Sequence, residues 1–139
     1  GKVGSVQRTS LRRDVASFTA LRYVKNKLHN TIFRIDQSFT PQTKNCIYII
    51  FCFRCGKQYV GETKNTIRMR VWQHTYNIRN GKELHTPLVN HFMLHGLPAL
   101  RVAGLQSYSW WSDTQRKSNE RRWIYRLQTI APNGLNIKY

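Results

Sequence analysis

Cys46 to Phe53 (CIYIIFCF), followed after three residues by Lys57 to Gly61 (KQYVG), decides the architecture. The first run is β-branched and aromatic without a charge, as in a strand buried on both faces. The second is a shorter strand, so the two predict a hairpin around Arg54-Cys55-Gly56. Thr66 to Arg79 reads as a helix, with Ile67, Val71 and Ile78 facing inward and Arg70 and His74 one turn apart. Asn80-Gly81 stops it. A second helix runs from Thr86 to His95, with Pro87 in its first turn and Gly96 after its end. Leu100 to Trp110 alternates as a third strand, and Ser118 to Thr129 is a last helix striped by Trp123, Ile124 and Leu127. The order β-β-α-α-β-α predicts an α+β domain, a small three-stranded mixed or antiparallel sheet flanked by helices.

Residues 1–45 have a different texture, with nine basic and two acidic side chains. Leu11, Val15, Phe18, Leu21, Leu28 and Ile32 fall near helical spacing behind Ser10, a candidate N-cap. A basic amphipathic helix is expected from Ser10 to about Asn30, then a linker from Ser38 to Asn45 punctuated by Pro41. The expected division is 1–45 as a helical extension and 46–139 as the main domain. The chain opens on Gly1 and not on Met, which suits a piece of a longer polyprotein.

Lys and Arg number 23 against 6 Asp and Glu, a formal charge of +17 with a pI near 10.6. A polyanion is the natural partner. No apolar run approaches the roughly 20 residues of a membrane helix, so no membrane partner is expected. Three cysteines speak against a disulfide-stapled secreted module. Only Glu62, Glu83, Asp113 and Glu120 lie beyond residue 45, too few acids for a typical two-metal nuclease site.

Cys52-Phe-Arg-Cys55-Gly56 has the spacing of a metal knuckle, and His91 and His95 share one face of a helix. The four form the donor set of a structural Zn²⁺ site tying the hairpin to the second helix. His85 competes for a histidine position, and Cys46 reads as a buried core thiol.

Cys46-Ile47-Tyr48 and, about ten residues on, Tyr59-Val60-Gly61 resemble the paired tripeptides of the GIY-YIG endonucleases. The similarity continues through Gly61-Glu62-Thr63, Ile67, Arg70, His74, Glu120 on a later helix and the closing Leu135-Asn136. Cys46 stands where the first tripeptide has its glycine, which leaves the reacting tyrosine in place. Within that family, the Cys-x2-Cys between the tripeptides and the His-x3-His after the first helix look like the endonuclease of Penelope-like retroelements.

The resemblance implies phosphodiester hydrolysis. Arg70 would stabilise charge on the scissile phosphate, and Glu120 would hold a single Mg²⁺ or Mn²⁺. Tyr48 and Tyr59 would orient and deprotonate the attacking water, with Tyr48 favoured as the base. His74 would relay a proton or bond a tyrosine, and Asn136 would support the site. Without the resemblance, the tyrosines read as strand aromatics and Glu120 as a first-turn charge of its helix. Lys64, Arg68, Arg79, Arg116, Lys117, Arg121 and Arg122 are candidate phosphate contacts. Trp111 is either a core edge or a base-stacking residue. The expected function is a DNA endonuclease that nicks one strand of a duplex and leaves a 3′-hydroxyl. By the same resemblance it follows a reverse transcriptase in one polyprotein, meets the element's RNA and acts in the nucleus. A zinc-stabilised nucleic-acid-binding module without catalysis is the alternative.

Overall fold

A computed structural model describes residues 8–10 and 16–139. Strand β5 (Lys44–Cys52) is the centre of the molecule. It pairs antiparallel with β6 (Gln58–Thr66) on one side and with β7 (Leu100–Ser107) on the other. Residues Cys46 to Ile50 are all fully buried, as expected for a strand with a sheet neighbour on each side and a helical layer on each face. The alternation of β5 divides the core in two. Cys46, Tyr48, Ile50 and Cys52 face α1 (Ile67–Arg79) and α2 (Pro87–His95). Ile47 and Ile49 face Trp123, Ile124 and Leu127 of α3 (Asp113–Leu127).

The helices α1 and α2 have the ends that their sequences predict. Thr66 caps α1 by accepting from Met69 N at 3.0 Å, so β6 runs into the helix without a loop. This direct junction locks the offset between Tyr59 on the strand and Arg70 and His74 on the helix. Thr86 caps α2, Pro87 opens it and Gly96 ends it at a φ of 88°. α3 begins five residues before the expected Ser118, at a capping box in which Ser112 and Gln115 bond reciprocally. Glu120 therefore lies in the middle of a helix and not in its first turn, which removes its reading as a charge on the macrodipole.

Where a helix was expected over Ser10 to Asn30, the described residues of that stretch, Ser10 and 16–30, form strands and turns instead. β1 (Arg8–Ser10) pairs with β2 (Ser17–Thr19), which lies parallel to β7 with Phe18 opposite Val102. Among the described residues the sheet thus has five strands in the order β1-β2-β7-β5-β6. β3 (Tyr23–Lys25) and β4 (Ile32–Arg34) form a separate hairpin. That hairpin adds Val24 to the core beside Ile35, and Phe33 meets Trp123 edge-to-face at 6.1 Å. Leu11 and Val15 lie outside the described residues, while Leu28 and Ile32, the end of the supposed helical stripe, are exposed. The competing signal is local. Asn26 Oδ1 accepts from Leu28 N and His29 N, and Asn30 takes a φ of 62°, so two asparagines shape the turn between YVK and IFR. Asn26 Nδ2 also donates to Arg126 O at 2.9 Å and fastens the hairpin to the end of α3.

Among the described residues no helix is long and apolar enough to cross a membrane. Phe18 is 4% exposed and packs in the same core cluster as Tyr48. Phe18→Ala is expected to cost about 3 kcal/mol, as for deletion of a core aromatic. Urea unfolding measures this, and a loss below about 1 kcal/mol would show that β2 is dispensable to the core.

Candidate active site and metal centre

Cys52 ends β5, Cys55 lies in the turn after it, and His91 and His95 are one turn apart on α2. Their four donor atoms all lie within 4.8 Å of one another. Cys52 Sγ is 3.8 Å from His95 Nδ1, and Cys55 Sγ is 3.4 Å from His91 Nε2. Tetrahedral Zn²⁺ with its usual bond lengths sets donors roughly 3.3–3.8 Å apart, so this donor set fits a zinc ion. The imidazoles of His91 and His95 stack at 4.0 Å. Burial, the neighbouring His95 and Lys57 all lower the pKa of His91, which favours the neutral form that binds metal. Gly56 takes a φ of 81° and lets the chain turn back into β6 after the second thiol. His85 is outside the cluster, exposed and beside Glu83, and Cys46 is a fully buried thiol.

The second cluster gathers around the open edge of β6. Tyr48 is fully buried, and its hydroxyl lies 2.8 Å from His74 Nε2. Opposite Tyr48 on β6 is Gly61, and a Cβ there would enter the phenol ring. The glycine of the second tripeptide is thus the space that Tyr48 occupies. Tyr59 completes the group, its ring 6.4 Å from Tyr48 and edge-on to His74 at 5.5 Å. Burial drives the pKa of His74 down to about 3, and the charge of Arg70 adds to the shift. His74 is therefore neutral at physiological pH and acts as a hydrogen-bond partner with no charge of its own. Burial raises both tyrosines, Tyr48 well above 10, and Arg70 opposes the shift in each. With Tyr48 sealed from solvent, Tyr59 is the phenol open to water. It lines a groove of about 430 Å³ together with Arg70, His74, Asn77 and Asn136.

Arg70 comes to this edge from α1 on one face of the sheet, and Glu120 from α3 on the other. Arg70 Nη1 bonds Gln73 Oε1 at 2.8 Å, which holds the guanidinium along its helix. The Glu120 carboxyl is raised to about 7, first by burial and next by the charge of Glu62, with Arg121, Lys117 and Arg70 opposing. A half-buried carboxylate beside a second acid gains from a nearby cation, so the residues present fit a divalent ion at Glu120. Glu62 lies on the α3 face of β6 and is bonded to Arg116 Nε. Arg116 also reaches Asn45 Oδ1 at 2.9 Å and Asp113 at 3.0 Å. The sequence did not reveal this network. The one available sign was that Glu62 immediately follows the second tripeptide.

Asn136 is buried and joins β6 as if it were a strand. Its Nδ2 donates to Val60 O at 2.9 Å, and its Oδ1 accepts from Val60 N at 2.8 Å and from Thr129 Oγ1 at 2.7 Å. One side chain thus satisfies both outward backbone groups of the residue next to Tyr59.

The candidate phosphate contacts divide by exposure. Lys64, Arg68, Arg79, Lys117, Arg121 and Arg122 are all exposed. Arg116 is not a surface charge, being 4% exposed with its guanidinium occupied by Glu62, Asp113 and Asn45. Trp111 is 7% exposed in the core against α3, so its neighbour Trp110, 67% exposed, carries the solvent-facing ring.

A histidine with a depressed pKa stabilises the fold above its unfolded value near 6.5. That contribution is lost as pH falls toward 3, because the unfolded chain takes up the proton first. Unfolding midpoints from pH 7.5 to 4.5 should therefore fall less steeply in His74→Gln than in the parent. Glutamine keeps a donor and an acceptor for the Tyr48 hydroxyl without titrating. Parallel curves for the two proteins would contradict a neutral, buried His74.

Two solved structures are similar to this chain at 26% sequence identity. One is the catalytic domain of homing endonuclease I-TevI, with a TM-score of 0.59 over 69% of this chain and 100% of that one. The other is a glutamate-to-alanine mutant of the catalytic domain of intron endonuclease I-TevI, with a TM-score of 0.58 over 68% and 94%. No curated protein matches by sequence. The GIY-YIG catalytic domain matches residues 44–136, the stretch that holds both tyrosines, Arg70, His74, Glu120 and Asn136. With well over half of its length matched, and with the fold shared, the chain belongs to the GIY-YIG catalytic domain family.

Proposed function

We propose that this GIY-YIG nuclease domain is a DNA endonuclease that nicks one strand and leaves a 3′-hydroxyl. The observation that carries the reading is the meeting, at one open sheet edge, of Tyr59, Arg70 and the carboxyl of Glu120 around the Tyr48–His74 pair. Arg70 holds positive charge where the phosphorane forms. Of the two tyrosines we assign Tyr59, which lines the groove, and not the buried Tyr48, to orient the attacking water and take its proton, with Arg70 favouring the phenolate of each. Tyr48 and neutral His74 hold Tyr59 and Arg70 in register. Asn136 keeps the β6 edge flat beside them. Glu120 is the ligand for one Mg²⁺ or Mn²⁺, which would neutralise the phosphate and the leaving oxygen when bound. Such a site needs one carboxylate and not several, in keeping with a chain so poor in acids.

The wider setting follows from the sequence pattern. The knuckle between the two tyrosines and the His-x3-His of α2 resemble the Penelope-like arrangement, and the nick would prime an upstream reverse transcriptase of the same polyprotein. The element's RNA and the nucleus belong to this reading. Cys52, Cys55, His91 and His95 hold a structural Zn²⁺ that ties the β5–β6 turn to α2.

Plasmid relaxation with Mg²⁺, against a metal-free control, tests the activity. Arg70→Ala and Glu120→Ala should each slow nicking by about 10²–10³-fold, the cost of removing one group that stabilises transition-state charge. Their affinity for duplex DNA should stay within a few-fold. Parental nicking by both variants would sink the assignment. Parental protein that binds DNA but never nicks would leave the zinc-stabilised binding module as the function. Elemental analysis should find one zinc per chain in the parent and in Cys46→Ser. Cys55→Ser should lose zinc and thermal stability together.

A further inference from the structure

The loop between β7 and α3 carries an aromatic stack that the nuclease site does not use. Trp111 is packed in the core and meets Tyr108 edge-to-face at 5.3 Å. Tyr108 in turn stacks on Trp110 at 5.0 Å with only 27° between the rings. The series runs from core to solvent, and Trp110, 67% exposed, presents the outer face. Its backbone is pinned: Asn45 Nδ2 donates to Tyr108 O at 3.1 Å and to Trp111 O at 3.0 Å, and Trp111 N donates to Tyr108 O. A large exposed indole held this firmly loses little entropy when something stacks on it.

The surroundings indicate the ligand. Lys64 and Lys117 both lie close enough to Asp113 to act on its carboxyl, and Asp113 is itself occupied by Arg116. Asp113 lies three residues after Trp110, so the loop runs into a surface where cations outnumber acids, in a chain of net charge +17, which suits a base attached to a phosphodiester better than an apolar peptide. The platform is also wired to the nuclease site. Asn45, which pins the loop, bonds Arg116, and Arg116 bonds Glu62, whose charge acts on Glu120.

We propose that Trp110, backed by Tyr108, is a stacking site for an unpaired base of the DNA substrate near the cut strand. Bases inside a duplex have both faces covered, so the site selects a bulge, flap or frayed end over continuous duplex. The proposal rests on the nuclease reading above.

The test uses the full chain in a Glu120→Gln background, so that bound DNA stays intact, with fluorescently labelled duplexes that are fully matched or carry one bulged base. The parent should prefer the bulged duplex. Trp110→Ala should weaken bulged-duplex binding by about tenfold and matched-duplex binding by less than twofold. Trp110→Phe should recover most of the loss, whereas Trp110→Leu, apolar but without an aromatic face, should not. Equal losses on both duplexes, no loss, or rescue by leucine would overturn the stacking site while leaving the nuclease reading intact. Failure of the parent to bind either duplex would overturn both. Because Trp110 projects into solvent, thermal unfolding of all three variants should match the parent.

Discussion

Everything at the nuclease edge depends on the close approach of Tyr48 to Gly61 across the β5–β6 ladder. The phenol ring fills the volume where any other residue would have a Cβ, and its hydroxyl then meets His74 at 2.8 Å. Because β6 passes straight into α1 at the Thr66 cap, this one contact ties strand and helix at a set offset. Tyr59 and Arg70 inherit their positions from it. The cost is a fully buried phenol and a buried imidazole, both kept neutral by their surroundings. The hydroxyl of Tyr48 and Nε2 of His74 bond each other, and among the described residues no buried side-chain nitrogen or oxygen lacks a partner.

Around that anchor the site is assembled from both faces of the sheet. α1 brings Arg70 past one side of the β6 edge and α3 brings Glu120 past the other. The C-terminal segment then seals the backbone between them through Asn136. The Arg116 network stiffens the α3 side, and the Cys2His2 cluster fastens the far end of the hairpin to α2. The charge of the chain thus has two uses. Most basic side chains remain on the surface, where a phosphate backbone can release counterions. Arg116 is withdrawn from that surface and pairs with Glu62 and Asp113.

Much of this was legible in the residues. The hairpin, α1 and α2 carry strong local signals: a buried β-branched run, side-chain caps, a proline at a first turn and glycine at an end. The metal cluster was legible because its two half-sites are each local, one in a turn and one on a helix. The N-terminal strands were not. Three-residue strands have almost no periodicity, and β2 exists because β7, more than eighty residues away, offers it an edge. The Asn26 and Asn30 turn was the better signal there, outweighed by a helical spacing whose last members prove to be exposed.

Sequence alone determined the family pattern and the order of the candidate site residues, since tripeptides, caps and ligand spacings are properties of neighbouring residues. Exposure is a property of the packed molecule, and only the tertiary structure decided it. Packing put Trp111 in the core and Trp110 in solvent, turned Arg116 from a surface charge into a buried partner, and left Tyr59 as the phenol that water reaches. In each case the deciding contact joins residues distant along the chain, and no local pattern encodes which of two adjacent side chains the core will take.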